Sequence, residues 1–554
     1  MAGINNLKIT GRVSEWYLRP PILLRLTLAL TFLVYLRTVG FDFVFDDHYQ
    51  ISLNPWLESW QQVPLYFTHQ LWAFTETHTQ ASYYRPLFML WLAAVKHLTG
   101  GAPGWYHLAT IALHLIVVAE SYLLARLLLK DDLAAVFAAA IFALHPGKVE
   151  AVAWVSGGGE PLFAVFFFAC FIAYLRGRES PSRLRWTLVS LLFLVLALFS
   201  KEQAIVTPVV LVAYEFSRGR PQRSLSRLRH AALVAAPWLA VAAAFWVLRW
   251  RVMHGVTEVA SLISWQKTLL TQPLTWLWYL WHLAFPFHLS LFYPDLIVRE
   301  FSWREVALPA CAVIAMAVLV WRVARRSAEG VLLYAWFVLT LAPAAVMVLL
   351  LQPHDRYLYL PSFPAAVLLA VAIRKLSTNT TTQMIVVSAL CAVLAVSTGY
   401  ELSFWDNDIS LFEHAVVIAP NSTRARVVLA DAYTQQGEGE RGAAILREAA
   451  RRDPNDMDIW KELAVQEYSR GEYEQAYIDF KHAVAVAPPG RDGNELYGLG
   501  LVTLKLGRPQ EAEQWARRAI ALDPTLSSYH RSLAAILDAQ GRHLEAEQER
   551  KLAK

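Results

Sequence analysis

From the N-terminus to about Tyr400, apolar runs alternate with short polar joints; beyond that point the chain turns polar, alanine-rich and periodic. Runs of about 15 to 25 apolar residues match the length an α-helix needs to cross a hydrocarbon core of ~30 Å. The first run ends near Val39, follows a basic stretch from Lys8 to Arg25, and lacks a small-residue cleavage site, so it reads as a retained helix. Further spanning helices are predicted over Trp105–Leu129, Leu133–His145, Pro161–Leu175, Leu184–Phe199, Ala204–Phe216 and Ala231–Leu248. Four more follow at Val306–Trp321, Val331–Leu351, Tyr357–Ile373 and Met384–Ser397. Pro86–Leu98 is short and reads as juxtamembrane or re-entrant, and 250–305 holds either no crossing or a pair. The expected fold is all-α, with about 11–13 spans over residues 1–400.

Residues 401–554 carry a repeat. Helical units end at Pro420, Pro454, Pro488 and Pro524, and each of these is preceded five residues earlier by Ala415, Ala449, Ala483 or Ala519. Turn glycines recur at Gly437, Gly471, Gly507 and Gly541, each followed five residues later by Gly442, Ala476, Ala512 or Ala546. A period of about 34 residues, with small residues where two helices cross, is the tetratricopeptide pattern. Such repeats stack into an α-solenoid whose concave face usually takes a peptide or protein.

Composition agrees with a membrane protein. The chain is 56% hydrophobic and 17% charged, where a soluble chain carries about 25% charged residues. Its net charge of +5 needs no nucleic-acid partner, because the arginines sit in joints between apolar runs. Arg176, Arg178, Arg183 and Arg185 fill one joint, and Arg218, Arg220, Arg223, Arg227 and Arg229 another. With Arg322, Arg325, Arg326, Arg374 and Lys375, these mark the cytoplasmic side. Helix parity then puts the first loop, 40–85, and the repeats on the extracytoplasmic side. Cys170, Cys311 and Cys391 lie in apolar runs, form no disulfide framework and show no metal-ligand spacing.

The remaining ionisable residues are the chemical candidates, since charge at membrane depth is costly. The first loop holds Asp42, Asp46, Asp47 and His48 in FDFVFDDHYQ; a carboxylate there is suited to take a proton from a hydroxyl nucleophile, or simply to cap a surface helix. Arg85, in the run Tyr83-Tyr84-Arg85-Pro86, offers a planar fork for a phosphate or snorkels to the interface. By parity, His145, Lys148, Glu150, Trp154 and Glu160, then Lys201 and Glu202, then His354, Asp355, Arg356 and Tyr357 fall on the same side. Lys201 and Arg356 are expected to meet an anionic lipid phosphate, with Glu202 and Glu150 holding those cations. Gly157, Gly158 and Gly159 read as a flexible loop, without the context of a nucleotide site. No Walker loop, dinucleotide fingerprint, zinc spacing or nucleophile elbow occurs.

In order, FVFDDHYQISLNP, YYRPL, HPGKVEAVAWVSG, SKE, DRYLYLPS and WDNDISLFEHAVVIAPN leading into the repeats resemble one family. It is the transmembrane and tetratricopeptide repeat-containing O-mannosyltransferases and their bacterial relatives, within the GT-C glycosyltransferase superfamily. The resemblance implies an extracytoplasmic, inverting transfer of a sugar, mannose in this family, from a polyprenyl-phosphate carrier to Ser or Thr hydroxyls. It places catalysis on Asp46 and Asp47, Asp46 favoured as base. It places the lipid phosphate on Arg85, Lys201 and Arg356, with Tyr84, Glu202 and Tyr357 beside them, and gives His48, His145, Glu150 and His354 supporting roles. No cofactor is required by this scheme, although the aspartate pair suits a divalent metal. Lys148, where relatives often carry His or another basic residue, and Gly158–Gly159, where they usually carry a basic residue, depart from the pattern. The expected partners are the lipid-linked sugar and an acceptor polypeptide held by the repeats, with a bacterial inner membrane favoured over the endoplasmic reticulum. A lipid or envelope-glycan acceptor, and a non-catalytic scaffold, are the competing readings.

Overall fold

The computed structural model describes residues 19–75, 83–219, 224–253, 264–294, 296–351, 353–488, 490 and 492–553. Lys8, Arg220 and Arg223, among the basic residues used for orientation, lie outside the described residues. Among the described residues every regular element is helical. The chain divides into two compact units, essentially at Asn407/Asp408.

In the first unit, each of the eleven predicted runs contains a helix. Seven helices among the described residues are long and apolar enough to cross a membrane, or eight if one bent pair is a single span. The other apolar helices are shorter, Pro86–Thr99 among them, so length supports fewer independent crossings than the expected eleven. The α-helix that lies wholly within 250–305 among the described residues is Trp265–Ala284, whose Tyr279 packs with Leu341, Tyr357 and Leu358.

The helix at Gly159–Glu179 is central: its spanning window is 89% buried, against 6% for the one at Trp303–Ala324, which leaves its apolar side chains to lipid. Phe167, Phe168 and Phe171 surround the Trp336 indole, whose Nε1 donates to the Leu360 carbonyl at 3.1 Å. The bent pair, Asp132–Leu144 and Pro146–Ala153, turns by 65°. Pro146 has no N–H to continue the helix. The carbonyls freed at the bend find other donors: His114 Nε2 lies 3.2 Å from the Ala143 oxygen, and the Thr398 hydroxyl donates to that of Leu144 at 2.8 Å. At the start of this pair, Asp131 caps Leu133 and Ala134 and pairs with Arg374 at 2.9 Å. The loop at 40–75 is built rather than loose. Ile51, Leu57, Tyr66 and Leu71 pack on Phe88, Met89 and Leu92 of the Pro86–Thr99 helix.

The second unit is a stack of helix pairs. Thr423–Gln435 pairs with Gly439–Arg452, Met457–Ser469 with Tyr473–Val486, Gly493–Lys505 with Pro509–Leu522, and Ser527–Ala539 with His543–Leu552. Gly437, Gly471, Gly507 and Gly541 all have φ between 73° and 85°, the left-handed region a turn demands there. Ala415, Ala449, Ala483 and Ala519 are fully buried. At Gly442 a Cβ would sit 2.5 Å from the Ala430 carbonyl, so the first repeat crosses its helices more tightly than the alanine repeats do.

Candidate active site

Asp46 and Asp47 follow Phe45, a bulky residue held at φ 53°. That conformation is strained for a side chain bearing Cβ, and such strain persists where surrounding structure enforces it. The enforcement comes from Asp47. Its fully buried carboxylate accepts from the Ser156 backbone N–H at 2.7 Å, from the Ser156 hydroxyl, and from the Val44 N–H at 3.3 Å. It makes no cap to the following turn, His48–Ser52, so the capping alternative does not hold for Asp47. Burial pushes the Asp47 carboxyl up to about 7; the Ser156 bonds oppose this and the neighbouring Asp46 charge adds to it. Asp46 itself is only partly buried, and His48 likewise.

A second group gathers from four separate segments. Arg85, where the chain enters the Pro86–Thr99 helix, pairs through Nε with Glu202 at 3.1 Å and lies 4.2 Å from the Tyr83 ring centre. The other Glu202 oxygen accepts from the Tyr84 N–H at 3.0 Å. Lys201 pairs with Glu160 in a nearly dry setting and stands 5.0 Å from the Tyr357 ring. Arg356 pairs with Glu150, which also accepts from the Arg356 N–H at 2.9 Å and lies 3.3 Å from His354 Nδ1. Burial lowers the Lys201 ammonium; Glu160 opposes the shift, while the like charges of Arg85 and Arg356 reinforce it. The three cations therefore act on one another. Tyr83 belongs to the same group: burial pushes its phenol up to about 12, with Tyr357, Arg85, Arg356 and Glu202 all within electrostatic reach.

Trp154 connects the two groups. Its ring lies 5.9 Å from that of Phe45 on one side and 5.1 Å from the Arg356 guanidinium on the other. Its indole N–H is buried with no partner among the described residues, a donor left for something else. Three cations and three carboxylates leave the site near neutrality. An arriving phosphate would be held by oriented, desolvated donors more than by net charge.

Several expectations change here. The partner of Lys201 is Glu160, not Glu202, which serves Arg85 instead; Glu150 does hold Arg356. Tyr84 turns away, fully buried with its hydroxyl donating to the Phe67 carbonyl at 3.0 Å, and Tyr83 faces the cations in its place. His145 is occupied structurally, its Nδ1 accepting from Gly147 and its Nε2 donating to the Leu283 carbonyl. Lys148 is fully buried against the Tyr359 carbonyl, Ser362 and the Phe142 ring, and is not itself a member of the three cation–carboxylate pairs. The glycines are not a flexible loop. A Cβ at Gly157 would sit 2.6 Å from the Glu150 carbonyl, and one at Gly158 2.8 Å from Thr110 Cγ2. Ser156 had no signal beyond its place after Trp154, because its partner is 109 residues away. Among the described residues no three of His, Cys, Asp and Glu come together as metal ligands.

The tetratricopeptide repeat family matches residues 423–465 and again 496–526. Among solved structures, the crystal structure of MamA is 19% identical with a TM-score of 0.24, covering 26% of this chain and 84% of that one. Curated relatives match over the membrane unit as well. The Caenorhabditis elegans protein O-mannosyl-transferase F38B6.6 is 25% identical over 413 residues, covering 72% of this chain and 58% of that protein. Human protein O-mannosyl-transferase TMTC4 is 26% identical over 72% of this chain and 62% of its own length. Mouse TMTC3, also a protein O-mannosyl-transferase, is 25% identical over 93% of this chain and 61% of itself. The chain thus spans less than two thirds of the length of these relatives. The likeness to protein O-mannosyl-transferases therefore runs through both the apolar helices and the repeats.

Proposed function

We propose that the chain transfers mannose from a polyprenyl-phosphate carrier to Ser or Thr hydroxyls of proteins, with inversion, at the extracytoplasmic face of its membrane. The observation that carries this reading is the Phe45–Trp154–Arg356 stack, which couples a strained acidic loop to a cluster of three cations, one buried and two partly buried. Asp46 is the base: it takes the proton of the acceptor hydroxyl as that oxygen attacks the sugar's anomeric carbon. The bond from that carbon to the phosphate oxygen breaks, and the leaving lipid phosphate meets Arg85, Lys201 and Arg356. Asp47 holds the loop through Ser156, and Tyr83 and Tyr357 wall the phosphate position. The scheme assigns no metal or other cofactor a role. Charge parity puts the first loop outside. The repeats bind the acceptor polypeptide, in keeping with the names of the relatives and the usual use of such solenoids.

The test is mannosyl transfer by the purified full chain in a bilayer, from polyprenyl-phosphate mannose to a Ser/Thr-containing peptide. Asp46→Asn is expected to lose ~10²- to 10⁴-fold in kcat at an unchanged thermal midpoint. Full activity in that variant sinks the assignment of the base. Transfer only to a lipid or glycan acceptor overturns the protein substrate, and no transfer to any acceptor leaves the scaffold reading.

A further inference from the structure

On the arginine-rich side of the first unit, a cavity of about 240 Å³ opens between the helices Gly159–Glu179, Arg183–Ser200 and Ser224–Val252. Two of its lining residues are cations, Arg178 and Arg183, and Thr187 adds a hydroxyl. Arg178 is fixed from behind by Glu215, which also accepts from the Tyr174 hydroxyl at 2.6 Å. Arg183 is exposed and has no carboxylate partner among the described residues, so one positive charge at this mouth is left uncompensated by them. The opposite wall is apolar, formed by Leu233, Pro237 and Trp238. Pro237 lies inside its helix and has no N–H, so the Leu233 carbonyl lacks its usual intrahelical donor. Leu184, Leu188 and Leu233 are exposed on spanning helices, where the surrounding medium is lipid.

From this we infer that the cavity is a binding site for the phosphate of an anionic membrane phospholipid, separate from the candidate active site. The phosphate sits between Arg178 and Arg183, and Thr187 donates to it. The acyl chains run along Leu188 and Leu233. Cationic pockets between spanning helices at the basic face suit such headgroups, and each arginine near the surface adds about five-fold to affinity.

The probe is phosphatidylglycerol, titrated into the purified full chain in detergent and read by native mass spectrometry. Phosphatidylcholine and inorganic phosphate form parallel arms. Phosphatidylglycerol is expected to bind at least ten-fold more tightly than phosphatidylcholine and to resist displacement by millimolar phosphate. Arg183→Gln, an exposed change, should weaken it about five-fold, whereas Arg185→Gln, in the same joint but outside the cavity, should leave it unchanged. Equal weakening in both variants means diffuse charge attraction and overturns the site. Displacement by inorganic phosphate reduces it to an ion site and overturns the lipid. Mannosyl transfer is not read in this experiment, so its outcome is independent of the active-site reading.

Discussion

Asp47 is buried, carries a carboxyl titrating near 7, and faces three donors, so its charge state should be visible in stability. In the unfolded chain the group titrates at its ordinary 3.8. Between those two values the folded protein keeps a proton that the unfolded chain has released. Stability from this group is therefore fully present below 3.8 and is lost as pH rises through about 7. From pH 5 to pH 8 the loss covers roughly two units, or about 3 kcal/mol. Asp47→Asn keeps the shape and cannot ionise. The assay is the thermal midpoint of the detergent-solubilised chain at pH 5, 6, 7 and 8, wild type beside variant. The variant should gain on wild type steadily across that range, with most of the gain below pH 7. A constant gap between the two refutes the reasoning, because it means that the folded Asp47 ionises like an ordinary aspartate despite its burial. Activity should follow in parallel: Asp47→Asn is expected to retain measurable transfer, since its amide oxygen can still accept from Ser156.

Three other outcomes follow from the packing. Glu160→Gln leaves the Lys201 ammonium buried without its partner and should cost about 3–5 kcal/mol, read as a lower thermal midpoint; loss of donor binding in surviving protein would accompany it. Gly158→Ala forces Thr110 or Trp91 to move and should cost about 1–3 kcal/mol while disturbing the Ser156 turn, checked by midpoint and transfer rate together. Gly498→Ala puts a methyl 2.4 Å from the Phe480 ring and should destabilise the repeats by about 1–3 kcal/mol. Circular dichroism of the repeats and mannosyl transfer to a short peptide would separate that effect from the chemistry.

Much of the molecule was legible along the chain because its signals are local. Apolar length gives the membrane helices, since every backbone group there must bond within its own helix. The 34-residue phase of prolines, glycines and alanines gives the repeats, because each unit reuses one turn and one crossing. Both kinds of information sit within a few turns of the residue concerned. Even the bend after Leu144 is announced by Pro146.

What sequence could not show is which charge meets which. Asp46, Asp47, Arg85, Lys201 and Arg356 stood out as costly groups beside apolar helices, but proximity in the chain paired Lys201 with Glu202. The fold pairs it with Glu160, and gives Glu202 to an arginine 117 residues away. The same adjacency chose Tyr84, whereas the non-helical lead-in to Pro86 buries Tyr84 and turns Tyr83 toward the cations. Length and periodicity are properties of one segment, so the sequence determined the helices, the repeats and the identity of the costly charges. Their partners, and the tryptophan linking the acidic loop to the cations, are decided only when distant segments pack, because desolvation leaves each buried charge to take whichever opposite charge the folded backbone brings within reach.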